Sequence, residues 1–263
     1  MVLRWFVMSL AALAAVVGMW MPEVFNSVAD ARTLDGAGTV TQEKKVVIPT
    51  HEHSEECQLT TAEPVQIICI LDRSGSMRAL ADDTIGGYNS FLEKQKNEPG
   101  GAEVTTVLFD DRYERIVDSV NILEAPEMTS KEYYARGMTA LLDAVGRTIT
   151  DTLGRMEKEN ICPEKRRVLI LIMTDGKEND SKEYDKETVK ALIDKTTEAY
   201  GWNYIFMGAN IDSVAEAGAI GIKAAHAMNY KHDSAGIADS FARMDAAASE
   251  MRETGNVSGD WKN

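Results

Sequence analysis

The sequence predicts an α/β fold of three layers, in which helices cover both faces of a doubly wound, mostly parallel, Rossmann-like sheet. Short apolar runs typical of buried strands alternate with helical patterns from about residue 65 onward. Unbroken apolar strands of this kind belong to parallel sheets that are buried on both faces. One connection is too short for a crossover, so we expect a hairpin to add one antiparallel edge strand.

Four segments are predicted along the 263 residues. Residues 1–31 form a hydrophobic N-terminal signal or membrane anchor, because positions 5–21 are almost entirely apolar. Residues 32–63 are polar and form a linker, residues 64–255 form the domain, and residues 256–263 form a tail. The protein is therefore expected to be secreted or anchored to a membrane. The alternative is a cytoplasmic protein in which the apolar stretch is an upstream extension.

In the first half of the domain, strands are predicted where apolar residues run unbroken or alternate. Helices are predicted where apolar residues recur every three to four positions. The strands are Gln66–Leu71, Glu103–Phe109 and Glu114–Ile122, and the helices are Thr84–Lys96 and a longer one burying Leu141, Val145, Ile149, Leu153 and Met156. Only a short connection, Asp110–Tyr113, separates the second and third strands, so these two form the predicted hairpin.

The second half of the domain repeats the strand–helix alternation. Val168–Met173 is a second unbroken apolar strand, and Asp185 is placed to cap the helix that follows it. The further predicted elements are a strand at Tyr204–Met207, a short helix over residues 212–217, a weaker strand at Lys223–Met228 and a last helix from Asp233 or Ser234. The helix after Asp185 buries Val189, Leu192, Ile193 and Thr196, and the last one buries Ile237, Phe241, Met244, Ala248 and Met251.

Composition narrows the classes of function. The formal net charge is −14, which argues against a nucleic-acid-binding surface, because recognition of phosphates needs clustered Lys and Arg. The three cysteines lack the number and spacing of a disulfide framework or a zinc site. Cys69, inside the first apolar strand, is interpreted as a small buried hydrophobic residue.

Polar residues with oxygen ligands follow the two unbroken strands. Asp72 ends the first strand, Ser74 and Ser76 follow it at two-residue steps, and Asp175 comes just after the other strand. Ligands of open parallel sheets bind outside the carboxyl ends of the strands where the strand order reverses. If these strands are neighbours, two carboxylates face one crevice, and they repel each other unless a proton or cation lies between them. Oxygen ligands of this type favour Mg²⁺, with Mn²⁺ or Ca²⁺ as alternatives.

The segment Asp72-Arg-Ser74-Gly-Ser76 resembles the D-x-S-x-S signature of the von Willebrand factor type A (VWA) family. That signature belongs to a metal-ion-dependent adhesion site (MIDAS), completed by a threonine from a later loop and an aspartate after the fourth strand. Thr139 and Asp175 match these two positions. The resemblance covers about residues 64–251. The segments at 83–89, 105–110 and 204–212 are also similar to a compact bacterial and phage group of stand-alone VWA domains.

Membership of this family implies a non-catalytic, protein-binding module that depends on a divalent cation. The implied metal ligands are Asp72, Ser74, Ser76, Thr139 and Asp175. An open coordination position would accept an Asp or Glu carboxylate from a protein partner. Membrane association is expected only through the N-terminal segment, and the oligomeric state is not predicted.

Two alternatives stay open. The same aspartates could hold Mg²⁺ in a hydrolase or phosphoryl-transfer enzyme, although no nucleophile, general base or phosphate loop accompanies them. The domain could also be an accessory subunit of an ATPase assembly.

Other polar residues receive plain interpretations. His226 and His232 are interpreted as structural. Five carboxylates that could lie around the rim of the metal site are interpreted as solvated side chains: Asp110, Asp111, Asp143, Glu178 and Asp180.

Overall fold

The computed structural model describes residues 64–262. The predicted signal or anchor segment and the linker lie outside the described residues. Among residues 64–262, no helix is both long enough and apolar enough to cross a membrane.

A six-stranded sheet forms the middle layer, in the order β3-β2-β1-β4-β5-β6. All neighbouring strands are parallel except β2 and β3, which form the antiparallel hairpin at one edge. The predicted fold is therefore confirmed. The strands are β1 (Val65–Asp72), β2 (Ala102–Phe109), β3 (Tyr113–Asn121), β4 (Val168–Thr174), β5 (Asn203–Gly208) and β6 (Ala227–Asn229).

Helices cover both faces of the sheet because the two faces of its strands are equally apolar. In β1, Ile67, Cys69 and Leu71 belong to the core under α1 and α5, while Ile68 and Ile70 belong to the core under α2, α3 and α4. The helices are α1 (Ala81–Asn97), α2 (Leu141–Lys158), α3 (Lys186–Tyr200), α4 (Ser213–Ala219) and α5 (Ser234–Thr254). Cys69 is a buried free thiol, as predicted, and Cys162 is disulfide-bonded.

Aspartate side chains begin three of the helices, as the capping pattern indicates. Asp185 accepts a hydrogen bond from the backbone of Thr188 at the start of α3, and Asp212 and Asp233 cap α4 and α5 in the same way. Such caps satisfy backbone N–H groups that have no partner within the helix.

Two parts of the chain differ from the prediction. The strand predicted over Lys223–Met228 is shorter, because Ala224–His226 is a 3₁₀ turn and only Ala227–Asn229 pairs with β5. Residues 256–262 do not extend away from the domain as a tail, since Val257 and Trp261 are buried in its core.

The strand order reverses between β1 and β4. From β1 the chain continues to β2 on one side, and β4 pairs with the other side of β1. The register places Leu71 of β1 opposite Met173 of β4, so that Asp72 and Thr174 follow at the same edge. This is where ligands gather in open parallel sheets.

Candidate cation site

Asp72 is the last residue of β1 and lies buried at the point where the strand order reverses. One carboxylate oxygen, Oδ1, accepts a hydrogen bond of 2.7 Å from the backbone N–H of Ser74. The other, Oδ2, accepts one of 2.7 Å from the hydroxyl of Thr174. Burial raises the pKa of Asp72 to about 6, because these hydrogen bonds lower it by less and the charge of Asp175 raises it further. The negative charge here is thus poorly compensated by the protein.

The two serines connect Asp72 with Asp175. After β1 the chain turns into a 3₁₀ helix, Gly75–Leu80, which brings the hydroxyl oxygens of Ser74 and Ser76 to 3.1 Å from each other. The Ser76 hydroxyl donates a 2.6 Å hydrogen bond to Oδ1 of Asp175. Four of the five predicted ligands therefore form one continuous set of contacts at the end of β1 and β4.

Thr139 approaches the same crevice from the loop before α2. Its backbone N–H donates to the Asn179 side chain at 2.8 Å, and its carbonyl accepts from the Asn179 backbone at 3.0 Å. Its Oγ1 lies 3.8 Å from where a β-carbon would stand on Gly176, the residue after Asp175. The structure thus places the Thr139 hydroxyl next to the loop that carries Asp175.

His232 also reaches the site, although the sequence interpretation treated it as merely structural. Its Nε2 lies 2.8 Å from Oδ2 of Asp175. In a parallel sheet the loops after the strands share one edge, so His232 can be related to the site once β6 is known to end just before it. His226 precedes β6, at the opposite edge, where its Nε2 lies 3.1 Å from the carbonyl of Val257.

The variable residue of the motif, Arg73, is fully buried. Its Nε donates to Asp110 Oδ2 at 2.9 Å, its Nη1 donates to the Glu132 carbonyl at 2.9 Å, and its Nη2 forms a 2.8 Å ion pair with Glu114. Arg136 donates to the same Asp110 oxygen at 2.8 Å. These contacts join the loop after β1 to the β2–β3 hairpin and to the loop that carries Thr139.

Several carboxylates of the rim have structural partners, and the interpretation of them all as solvated is wrong. Asp110 is buried and paired with two arginines. Asp143 accepts hydrogen bonds from three consecutive backbone N–H groups, those of residues 182–184. Glu178 accepts from the backbone of Leu142 at the start of α2. The side chains of Asp110, Asp143 and Glu178 therefore stabilise the loops around the site, whereas Asp111 is exposed.

The donor set fits a hard divalent cation. The five converging side chains offer carboxylate and hydroxyl oxygens, which Mg²⁺, Mn²⁺ and Ca²⁺ prefer. Within residues 64–262 there is no group of three or more His, Cys, Asp or Glu residues suited to hold a metal. The order of contacts is Ser76–Asp175–His232, whereas a catalytic triad has its histidine between serine and aspartate.

Comparisons with known proteins complete these observations. No protein-family model matches the sequence, and no curated protein matches it. Among solved structures, a von Willebrand factor type A protein from Catenulispora acidiphila matches with 18% identity and a TM-score of 0.48, over 72% of this chain and 43% of that chain. Manganese-loaded TRAP protein of Plasmodium vivax matches with 16% identity and a TM-score of 0.49, over 67% of this chain and 72% of that chain.

A third similar structure is proximal thread matrix protein 1 of the mussel byssus with a zinc-occupied MIDAS motif. It has 13% identity and a TM-score of 0.48, over 66% of this chain and 45% of that chain. The present chain spans less than half the length of this protein and of the Catenulispora protein. At such identities the function has to be argued from the residues of the site.

Proposed function

We propose that this protein, whose fold is that of a VWA domain, is a protein-binding module that depends on a divalent cation and has no catalytic activity of its own. The observation that carries the proposal is the convergence of two buried aspartates and three hydroxyl residues where the strand order reverses. Two such carboxylates repel each other unless a proton or a cation lies between them, and the hydroxyl oxygens beside them are ligands of the kind that a hard cation prefers.

Each residue has a defined part in this proposal. Asp72 and Asp175 supply the negative charge that holds the cation. Ser74, Ser76 and Thr139 supply neutral oxygens, so that the cation retains net positive charge toward a partner. When bound, the cation would supply a Lewis-acidic position that accepts an Asp or Glu carboxylate of a protein ligand. Mg²⁺ is the expected cation, and Mn²⁺ and Ca²⁺ are accommodated by the same oxygens.

The non-catalytic part of the proposal rests on what surrounds the aspartates. Asp175 separates His232 from Ser76, so within residues 64–262 the histidine has no hydrogen bond to a hydroxyl that it could deprotonate. Arg73, the nearest buried cation, is directed at Asp110 and Glu114, not at the crevice. A phosphoryl-transfer site would need donors aimed at the transferred group.

The cation site is tested by calorimetry and thermal unfolding with Mg²⁺ and Mn²⁺. Asp72→Asn keeps an oxygen for the Ser74 N–H but removes the charge, so we expect it to abolish binding. At a cation concentration 100 times Kd, binding stabilises the native protein by about 2.7 kcal/mol. For a domain of this size that raises Tm by about 5–10 °C. Asp239→Ala, an exposed residue of α5, is the control and should respond like the native protein. Equal binding by Asp72→Asn and the native protein would overturn the site.

The function is tested by capturing partners in Mg²⁺ and in EDTA with the native protein and with Asp72→Asn. A specific partner should be retained by the native protein in Mg²⁺ alone, and it should lose binding when its own Asp or Glu is replaced. Partners that all survive EDTA contradict cation-dependent recognition. Turnover of phosphoesters by the purified native protein, lost in Asp72→Asn, would instead establish an enzyme.

A further inference from the structure

The segment between β6 and α5 forms a rigid turn beside the cation site. The backbone N–H of Tyr230 donates to the Gly208 carbonyl at 2.9 Å, and that of Asp233 donates to the Lys231 carbonyl at 2.8 Å. A β-carbon on Gly236 would stand 1.9 Å from the Lys231 carbonyl oxygen, so the turn is packed against the first turn of α5. His232 is therefore presented from a backbone whose position is fixed on both sides.

Two different groups engage the two oxygens of Asp175. The Ser76 hydroxyl is 2.6 Å from Oδ1, and His232 Nε2 is 2.8 Å from Oδ2. The Asp175 side chain is fully buried, while a quarter of the His232 side chain is exposed. A carboxylate that accepts a hydrogen bond at each oxygen from fixed partners has a defined rotation about its last side-chain bond. Without His232, the described contacts would leave Oδ2 with no hydrogen-bond donor.

We infer that His232 is a positioning residue of the cation site, which donates from Nε2–H to Asp175 Oδ2 and so holds Oδ1 toward Ser76. The inference rests on the proposed function of the same site. Histidine and carboxylate pairs outside the direct ligands orient metal ligands in proteins, and their loss lowers metal affinity by about 10- to 100-fold. Here the roles follow the geometry: the carboxylate faces the crevice, and the imidazole fixes its orientation.

Tyr230, two residues earlier in this turn, provides a second observation. Tyr230 is only 7% exposed, and its hydroxyl has no hydrogen-bond partner among the described residues. The charges of Asp175 and Asp72 both add to the effect of burial in raising its pKa, so the hydroxyl lies near this pair of carboxylates. A buried polar group without a partner is costly in a folded protein unless a ligand or water satisfies it. Two side chains of the turn, those of Tyr230 and His232, thus lie beside the two aspartates.

The test compares four full-length proteins by calorimetric titration with Mn²⁺ and Mg²⁺ at pH 7.5. They are the native protein, His232→Ala, His232→Gln and His226→Ala. We expect His232→Ala to bind Mn²⁺ about 10-fold or more weakly. His232→Gln should stay within about 3-fold of the native protein, because its amide can donate near the position of Nε2. His226→Ala is the matched control from the other end of β6 and should bind normally. Circular dichroism identifies any variant that fails to fold.

A spectroscopic measurement checks which nitrogen of His232 carries the proton, while the rescue of affinity by His232→Gln separates a positioning role from a merely structural one. Long-range ¹H–¹⁵N correlation spectra should show His232 in the Nε2–H tautomer both without and with Mg²⁺. The Nδ1–H tautomer, or native affinity in a folded His232→Ala protein, would overturn the inference and leave the proposed function standing. If the native protein binds neither cation, the proposed function fails and the inference fails with it.

Discussion

Replacement of Arg73 by methionine is the most direct test of how the loops of this domain are held. Arg73 has no exposed side-chain area, and neither has its partner Asp110. The substitution keeps a side chain of comparable length while removing the charge and every donor. Asp110 then remains buried with one of its two arginines, since Arg136 is still 2.8 Å from the same oxygen.

The expected loss of stability follows from these contacts. Removing one partner of a buried ion pair costs about 3–5 kcal/mol when the remaining charge is uncompensated. Asp110 keeps Arg136 and a 2.8 Å hydrogen bond from the backbone of Arg112, so we expect the lower end, about 3 kcal/mol. With a urea m value of about 2 kcal/mol/M, the unfolding midpoint falls by about 1.5 M.

Urea unfolding of Arg73→Met and Arg136→Met distinguishes the buried pair from its partly solvated neighbour. The Arg136 side chain is 25% exposed, and we expect its removal to cost only about 1 kcal/mol. The double variant Arg73→Met/Asp110→Asn should regain part of the loss, because it removes a buried charge that would otherwise keep only the partly exposed Arg136 as its ion-pair partner. An equal or larger effect of Arg136→Met, or a loss below about 1 kcal/mol for Arg73→Met, would refute this account.

Two further predictions concern the loop before α2 and the pH dependence of stability. Gly137 has a φ of +66° and a β-carbon there would stand 1.9 Å from Asp111 Oδ1, so Gly137→Ala should lower both stability and Mn²⁺ affinity. Gly154 lies within α2, where a β-carbon would meet no neighbouring atom, so Gly154→Ala should instead stabilise the protein by up to about 1 kcal/mol in urea unfolding. A Gly137→Ala protein more stable than the Gly154→Ala protein would contradict the loop geometry. Burial lowers the pKa of His226, so the unfolded chain binds its proton more readily and stability is lost as pH falls below about 6.5. His226→Gln should lose less stability than the native protein between pH 7.5 and 5.5, and equal losses would contradict this. The charged groups that act on His226 are Lys223, Lys262 and Glu250.

The elements that were predictable from the sequence are those with local signals. The strand β1 is an unbroken apolar run, and the caps Asp185, Asp212 and Asp233 stand directly before their helices. The short strand β6 has no such signal, because an edge strand of three residues is defined by pairing with β5. The burial of Val257 and Trp261 likewise depends on where α5 returns the chain, which no local pattern records.

The oxygen-bearing side chains of the candidate site were predictable from the sequence and the groups that contact them were not, for a physical reason. Asp72, Ser74 and Ser76 are oxygen-bearing side chains at two-residue steps in one turn, so they leave a readable motif. A group that orients them needs only an N–H directed at a carboxylate, and any distant loop at the same edge of the sheet can provide it. Arg73 stands at the unrestricted position of the motif, and His232 lies 57 residues beyond Asp175.

These two residues divide the site into two supported halves. Arg73 contacts Asp110 and, through its backbone carbonyl, the N–H of Arg136 at 3.0 Å, so the loop after β1 and the loop of Thr139 are held as one unit. His232 holds Asp175 from the other side. The two aspartates also accept side-chain hydrogen bonds from within the site. Ser76 donates to Asp175, and Thr174 donates to Asp72. We therefore expect that replacing His232 lowers cation affinity and leaves the contacts of Arg73 unchanged, since the two supports share no residue.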